Sequence, residues 1–331
     1  MMNANGIKAK SSAILYHYPC PDGAFAALAA HLYFKATSLP ALFFPNTVYR
    51  PLRAQDLPLH EIGDLYLLDF VGPSGFVQEI STKVGKVVIL DHHKTAFEKL
   101  GNERCDKNVI KVIDMERSGA TIAFDYFKEK LMSAQEGGKQ KQQPVVVGEF
   151  DRVRPLFDYI EDGDLWRWKV KNSKAFSSGL KDFNIEFDVH LNPSLFQQLL
   201  SLSLNSVISQ GMRSLSHKQK LIDDCLGQSY KIALGGGVFG SFLIFIYAAL
   251  SDLRSELGHQ LASKSQNLKL RGIGAVVYKV AELGDDNKLK VSLRSLDNED
   301  TTPISQEFGG GGHRNASSFM VSSEQFEKWK V

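Results

Sequence analysis

The chain has 331 residues, 43% of them hydrophobic, enough to bury a substantial core and long enough for two domains. Its 39 Lys and Arg stand against 37 Asp and Glu, a net charge of +2 that argues against a protein gripping long nucleic acid through phosphate contacts alone and favours a short or small substrate. Cys20, Cys105 and Cys225 are odd in number and widely spaced, which argues against a disulfide framework and for reduced thiols in an intracellular compartment.

Met1–Ser12 carries Lys8 and Lys10 but no long apolar segment, so it does not read as a secretory signal. The expectation is a cytoplasmic protein, with a short organelle-targeting peptide as the alternative. A strand is predicted over 13–17, then a helix from about Asp22 to Lys35, where Ala24, Ala26, Ala27, Ala29 and Ala30 favour helix and permit close packing on a sheet. Further strands are expected near Leu42–Phe44, over 65–69 and over 87–90. This alternation argues for a mostly parallel sheet with helices on both faces, an α/β fold. A helix over Ser118–Met132 follows, then an exposed loop, Ser133–Pro144, with Glu136-Gly137-Gly138 and a basic, glutamine-rich stretch but no large apolar side chain.

Tyr159-Ile160 reads as the end of another strand, followed by Glu161-Asp162-Gly163-Asp164. Helices over Leu195–Leu204 and Ser206–Cys225 lead out of the first domain. The division is expected as a domain over 1–205, a helical linker over 206–228 and a smaller α/β domain over 229–331. In the last, strands are predicted near Phe242–Tyr247, Gly274–Tyr278 and Leu289–Ser295, with a helix from about Asp252 to Lys264. The apolar run Ile232–Leu250 has borderline length for a membrane span, but Gly235, Gly236, Gly237 and Gly240 interrupt it. It is read as a strand entered through a glycine-rich turn, and no membrane is expected.

Polar residues recur where apolar stretches run out: His17 to Asp22 after the first strand, Asp69 after Leu65–Leu68, Asp91-His92-His93 after Val87–Leu90, and Asp162 after Ile160. Such ends are the usual address of an α/β active site. A single strand-end Asp is ordinarily a helix cap or turn former. Four of them supply the carboxylates and imidazoles that a metal site assembled from several strand ends requires. Phosphodiester hydrolysis has need of one, because the anionic phosphate repels hydroxide and water at neutral pH supplies little of it. Two divalent cations about 4 Å apart answer both difficulties. Mg²⁺ and Mn²⁺ prefer oxygen ligands, and the mixture of Asp and His favours Mn²⁺.

Taken in order, His17 to Gly23, Asp69, Asp91-His92-His93 and Asp162 resemble the successive motifs of the DHH phosphoesterase family. Phe308-Gly309-Gly310-Gly311-Gly312-His313-Arg314-Asn315-Ala316 resembles the glycine-rich motif of the DHH-associated domain, and Val291–Ser295 the strand preceding it. The resemblance spans nearly the whole chain. It implies that Asp69 bridges two metals, that His17 holds one, and that Asp22, His92 and Asp162 hold the other, with Asp164 as the alternative to Asp162. His93 would sit against the scissile phosphate, and Asp91 would orient His92 or the attacking water. Many members carry an acid where this chain has Cys20. A branch of oligoribonuclease and nanoRNase type has a similar His-x-x-Cys-x-Asp-Gly pattern, leaving Cys20 as a soft ligand or as a small packed residue.

The same resemblance places substrate contacts on the second domain. Gly310, Gly311 and Gly312 would let backbone N–H groups approach an anion. His313, Arg314 and Arg294 would add donors, Arg294 as a bidentate clamp. The substrate would then lie in the cleft between the domains, with Tyr18, Phe70 and Trp166 as aromatics able to stack on a base. The implied activity is a metal-dependent phosphodiesterase acting on short RNA or DNA oligonucleotides or related small nucleotides and releasing mononucleotides. Its alternatives are a pyrophosphate or polyphosphate hydrolase and a catalytically silent nucleotide-binding protein. Oligomeric state stays open, a homodimer included.

Overall fold

A computed structural model of the chain describes residues 10–47, 49–102, 106–136, 144–246, 253–280, 284–285 and 287–331. It divides into two compact units, Met1–Ser214 and Leu215–Val331. The N-terminal segment 1–9, Cys105, most of the expected 133–144 loop and the residues Tyr247 and Asp252 lie outside the described residues.

The first unit is an α/β layer structure. Its elements run β1 (Ser11–His17), α1 (Pro21–Thr37), β2 (Ala41–Asn46), β3 (Ile62–Leu68), α2 (Phe76–Ser81), β4 (Lys86–Asp91), α3 (Lys94–Asn102), β5 (Val109–Ile113), α4 (Gly119–Glu136), α5 (Pro144–Asp164), α6 (Ser173–Asp182), α7 (Leu195–Ser201) and α8 (Leu204–Gly227), the last continuing into the second unit. The sheet order is β2-β1-β3-β4-β5, and every pairing is parallel.

Alternation along the strands assigns each side chain to one of two cores. Ile14, Tyr16, Tyr66, Leu68, Val88 and Leu90 face the layer built by α1, α4 and α5. Ala13, Leu15, Leu65, Leu67, Val87 and Ile89 face α2 and α3, where Phe76, Ile80, Ala96 and Leu100 meet them. Burial on both faces is why these strands read as continuous apolar runs. Ala24, Ala26, Ala27, Ala29 and Ala30 of α1 are fully buried, as their small size implied. On the same side, α6 and α8 cross at backbone contact: a Cβ on Gly179 would stand 2.0 Å from the Val207 carbonyl oxygen, and one on Gly211 1.7 Å from that of Ala175.

One element differs in kind from the sequence reading. Tyr159 and Ile160 belong to the long helix α5, not to a strand. Phe150, Val153, Phe157 and Ile160 are its buried stripe, at helical spacing.

The second unit is a six-stranded mixed sheet. It contains β6 (Tyr230–Ala233), β7 (Ser241–Ile246), α9 (Arg254–Asn267), β8 (Ile273–Tyr278), β9 (Lys288–Ser295), α10 (Thr302–Glu307), β10 (Gly311–His313), β11 (Ala316–Ser322) and α11 (Ser323–Glu327). The order is β10-β11-β9-β8-β7-β6, with only β7 and β8 parallel. The glycine-rich turn before β7 is present, and Gly235, Gly236 and Gly237 all take positive φ there. Among the described residues no helix is long and apolar enough to cross a membrane.

Candidate metal centre

The carboxyl ends of β1, β3 and β4 lie side by side in the parallel sheet, where the chain leaves β1 toward one sheet edge and returns on its other side at β3. That reversal opens a crevice outside the strand ends. His17 closes β1, Asp69 follows β3, and Asp91 closes β4 with His92 and His93 directly after it. Asp69 takes φ +64, a left-handed conformation uncommon for a residue with a side chain. Its N–H donates to the Leu90 carbonyl at 2.8 Å, which fixes the turn against β4.

The structure gathers three sets of ligand atoms, each within 4.8 Å: His17, Cys20 and Asp69; Asp69, His92 and His93; and Asp22, His92 and Asp164. Asp69 and His92 each belong to two sets. His17 Nδ1 lies 3.1 Å from Asp69 Oδ2, and His92 Nε2 lies 3.2 Å from Asp69 Oδ1 and 3.5 Å from Asp164 Oδ2. Asp69 Oδ1 is buried; His92 Nε2 at 3.2 Å and His93 Nδ1 at 3.7 Å stand beside it, but among the described residues no donor meets it with hydrogen-bond geometry. A buried carboxylate oxygen without a donor is the kind of group a cation satisfies.

Asp22 sits in the first turn of α1, but its oxygens are held by the start of another helix. Gly119 N–H donates to Oδ2 at 2.7 Å and Ala120 N–H to Oδ1 at 3.0 Å. This uses two of the free N–H groups at the beginning of α4. Gly119 is a residue the sequence reading passed over. A Cβ there would stand 2.7 Å from Asp69 Cβ and 2.9 Å from Asp22 Oδ2. Gly23 has a similar constraint, since its Cβ would lie 2.1 Å from the His17 carbonyl oxygen.

The three acids at the end of α5 have separate partners. Glu161 accepts from Ser118 N–H at 3.2 Å and from the Thr121 hydroxyl, so it secures the α4 start that holds Asp22. Asp162 is buried and accepts from the N–H groups of Lys169 and Val170, at 2.9 and 3.2 Å. Asp164, not Asp162, is the carboxylate brought to Asp22 and His92. Two residues apart on a strand share a face, whereas on a helix they stand about 200° apart.

Asp91 does not reach the His92 ring. Its Oδ1 accepts the N–H groups of His92 and His93, at 2.7 and 3.0 Å, and lies 2.8 Å from His93 Nδ1. It therefore positions His93, whose side chain is 44% exposed.

Electrostatics describe a site short of positive charge. Burial, then the charges of Asp69 and Asp164, push the Asp22 carboxyl well above the usual range. Burial and Asp69 push Asp164 up despite His92. For Asp69, burial acts in the same direction, but the His17 hydrogen bond and His92 outweigh it and its pKa falls. His92 is opposed by burial, yet the carboxylates of Asp69, Asp22 and Asp164 raise it to about 9. Burial, then Asp69 and Asp22, push the Cys20 thiol up to about 12. The hydrogen bond to Asp91 raises His93. Three carboxylates, two of them fully buried, and the orphaned Asp69 oxygen fit a divalent cation, and the oxygen-rich set with imidazole suits Mn²⁺ or Mg²⁺.

The sequence-predicted substrate residues lie in the second unit. Gly311, Gly312 and His313 form the edge strand β10, and Gly311 to Arg314 are exposed. Gly310 and Gly312 are demanded by close backbone approach, since a Cβ would meet the Ser318 and Ala316 carbonyl oxygens at 2.1 and 2.5 Å. Gly311 has open space on that side. Arg294 donates to Ser255 Oγ at 2.9 Å and to the Leu293 carbonyl at 2.8 Å, and Arg314 to the Asp297 carbonyl at 3.4 Å. Of the three aromatics proposed near the site, Phe70 is core, while Trp166 is 78% exposed.

No family model matches the chain. An uncharacterised protein, R106 of Acanthamoeba polyphaga mimivirus, is 26% identical over 322 residues, covering 93% of this chain and 67% of its own length. Among solved structures, the pGpG-specific phosphodiesterase PggH of Vibrio cholerae shares 12% identity over 96% of each chain, with a TM-score of 0.43. The exonuclease RecJ bound to manganese shares 12% over 96% of this chain and 88% of its own, at 0.41. An exopolyphosphatase-related protein from Bacteroides fragilis shares 13% over 97% and 90%, at 0.39. Similarity at this level carries no function across.

Proposed function

We propose that this chain is a metal-dependent phosphodiesterase that hydrolyses short oligonucleotides or related small nucleotide phosphodiesters to mononucleotides. The observation that carries the reading is the convergence of Asp22, Asp69, Asp164, His17 and His92 around the buried Oδ1 of Asp69, which no donor among the described residues meets with hydrogen-bond geometry. Asp69 would be shared by two ions, with His17 and Cys20 beside one, and Asp22, His92 and Asp164 beside the other. Mn²⁺, or Mg²⁺ in its place, would neutralise phosphate oxygens and make water more acidic there.

The protein's own groups then have distinct tasks. Asp91 holds His93 Nδ1, which leaves Nε2 to meet a phosphate oxygen or the leaving oxygen. Held in that orientation, His93 is placed to act as the general acid on the leaving oxygen as the P–O bond breaks. Glu161 secures the start of α4, whose N–H groups hold the Asp22 carboxylate, and Asp162 holds the turn that follows Asp164. Gly310 to Gly312, His313, Arg314 and Arg294 are proposed as phosphate donors from the second unit.

The test is release of mononucleotide from a labelled RNA dinucleotide and pentanucleotide in Mn²⁺, with Asp69→Ala alongside and tripolyphosphate as a competing substrate. Turnover of the nucleotides that disappears in Asp69→Ala is the expected result. Cleavage of tripolyphosphate alone would replace the reading with a phosphoanhydride hydrolase. Silence toward both would leave a binding protein.

A further inference from the structure

A cavity of about 680 Å³ opens in the first unit directly beside Asp22 and Asp164, a volume typical of small-molecule sites. Tyr18, Trp166, Trp168, Phe176 and Phe187 contribute to its lining. Among the described residues, the charged ones facing it are Asp22, Asp164, Glu186 and Lys181. With the first two acids engaged by cations, the remainder of the cavity is largely aromatic and aliphatic and offers no surplus of positive charge. A chain of phosphates would find no net positive charge there to hold it, whereas a neutral planar ring would be held by stacking.

The tryptophans are not placed there by burial. Trp166 keeps 78% of its surface exposed, and both Trp166 and Trp168 take φ +52. Their rings meet edge-on at 5.5 Å. Left-handed backbone at two bulky residues persists only where the surroundings impose it. Here the Asp162 carboxylate holds the N–H groups of Lys169 and Val170, and the Arg167 N–H donates to the Asp162 carbonyl at 3.0 Å. The buried Asp162 thus fixes a turn that displays an exposed tryptophan at the mouth of a cavity adjoining the carboxylates.

From this we infer that the cavity is a nucleobase subsite: the base of the nucleotide whose phosphate lies at Asp22 and Asp164 enters it and stacks on Trp166. The inference rests on the phosphodiesterase reading for the position of the phosphate. It narrows the substrate to nucleotides, since a phosphoanhydride polymer has no group to fill an aromatic cavity.

The experiment titrates the full-length protein in Mn²⁺ with AMP and, separately, with ribose 5-phosphate, following tryptophan fluorescence and calorimetric heat. AMP is expected to quench the fluorescence and to bind on the order of tenfold more tightly than ribose 5-phosphate, as base stacking on an aromatic residue implies. Trp166→Ala should bring AMP to the affinity of ribose 5-phosphate, and Trp166→Phe should restore most of the difference. Because Trp166 is exposed, these variants remove little packing. Equal affinity of the two ligands for the wild type, absence of AMP binding, or an unchanged AMP affinity in Trp166→Ala would overturn the proposal. Base-dependent binding by a protein without turnover would support the subsite and remove the phosphodiesterase reading. Dinucleotide turnover whose KM is unaffected by Trp166→Ala would do the reverse.

Discussion

Asp162 and Asp164 divide cleanly by what they touch, and their substitutions should divide with them. Asp164→Asn is expected to keep the folded stability, because it removes a charge crowded against Asp22 and Asp69, and to lower Mn²⁺-dependent turnover by at least about 100-fold, since a residue beside the ion should cost no less than the outer partners of metal ligands do. Asp162→Ala removes the acceptor of two backbone N–H groups and should cost about 1–3 kcal/mol in urea unfolding. Gly119→Ala should disable the centre without changing any ligand, since the added carbon would displace Asp69 or Asp22. Turnover should fall about 100-fold, the scale of a 1 Å misplacement. Away from the site, His31 stacks on Phe196 with ring centres 4.4 Å apart, and burial, then Lys35, lowers its pKa from 6.5 to about 4. Between these values the unfolded chain holds the extra proton. Its contribution is complete above pH 6.5 and is lost as pH falls toward 4. Unfolding at pH 7 and pH 5 should show His31→Phe losing less stability on acidification than the wild type.

At the scale of elements, the crossing of α6 and α8 depends on absent side chains. Gly211→Ala should cost about 1–3 kcal/mol through forced separation of the two helices, read as a lower urea midpoint with an unchanged slope. Because α6 carries Phe176, the same variant should also weaken AMP binding. The sequence made β1, β3 and β4 legible because strands buried on both faces are apolar throughout and end abruptly in polar residues. It concealed α5 because Tyr159-Ile160 before an acidic cluster looks like a strand end in a short window, and Pro155 interrupts the helical pattern. The choice between Asp162 and Asp164 was undecidable in that reading for the same reason: on a strand both would face one way. Gly119 was illegible because its role is defined by Asp22, 97 positions earlier in the chain, and by Asp69.

For the whole molecule, the parallel sheet supplies what no single element contains. The candidate ligands, carried on α1 and at the ends of β1, β3, β4 and α5, meet only after the order β2-β1-β3-β4-β5 has formed. The glycine-rich motif was found by its letters, yet its geometry has a second reason, the tight pairing of β10 with β11 that Gly310 and Gly312 permit. The claim on which the account turns is that Asp69 organises a divalent cation centre. The most direct test is electron paramagnetic resonance of the full-length protein titrated with Mn²⁺, alongside Asp69→Ala. The wild type should remove free Mn²⁺ from solution up to two equivalents, with a spin-coupled signal at saturation, and Asp69→Ala should bind weakly and show no coupling. Equal Mn²⁺ binding by the two proteins would contradict it.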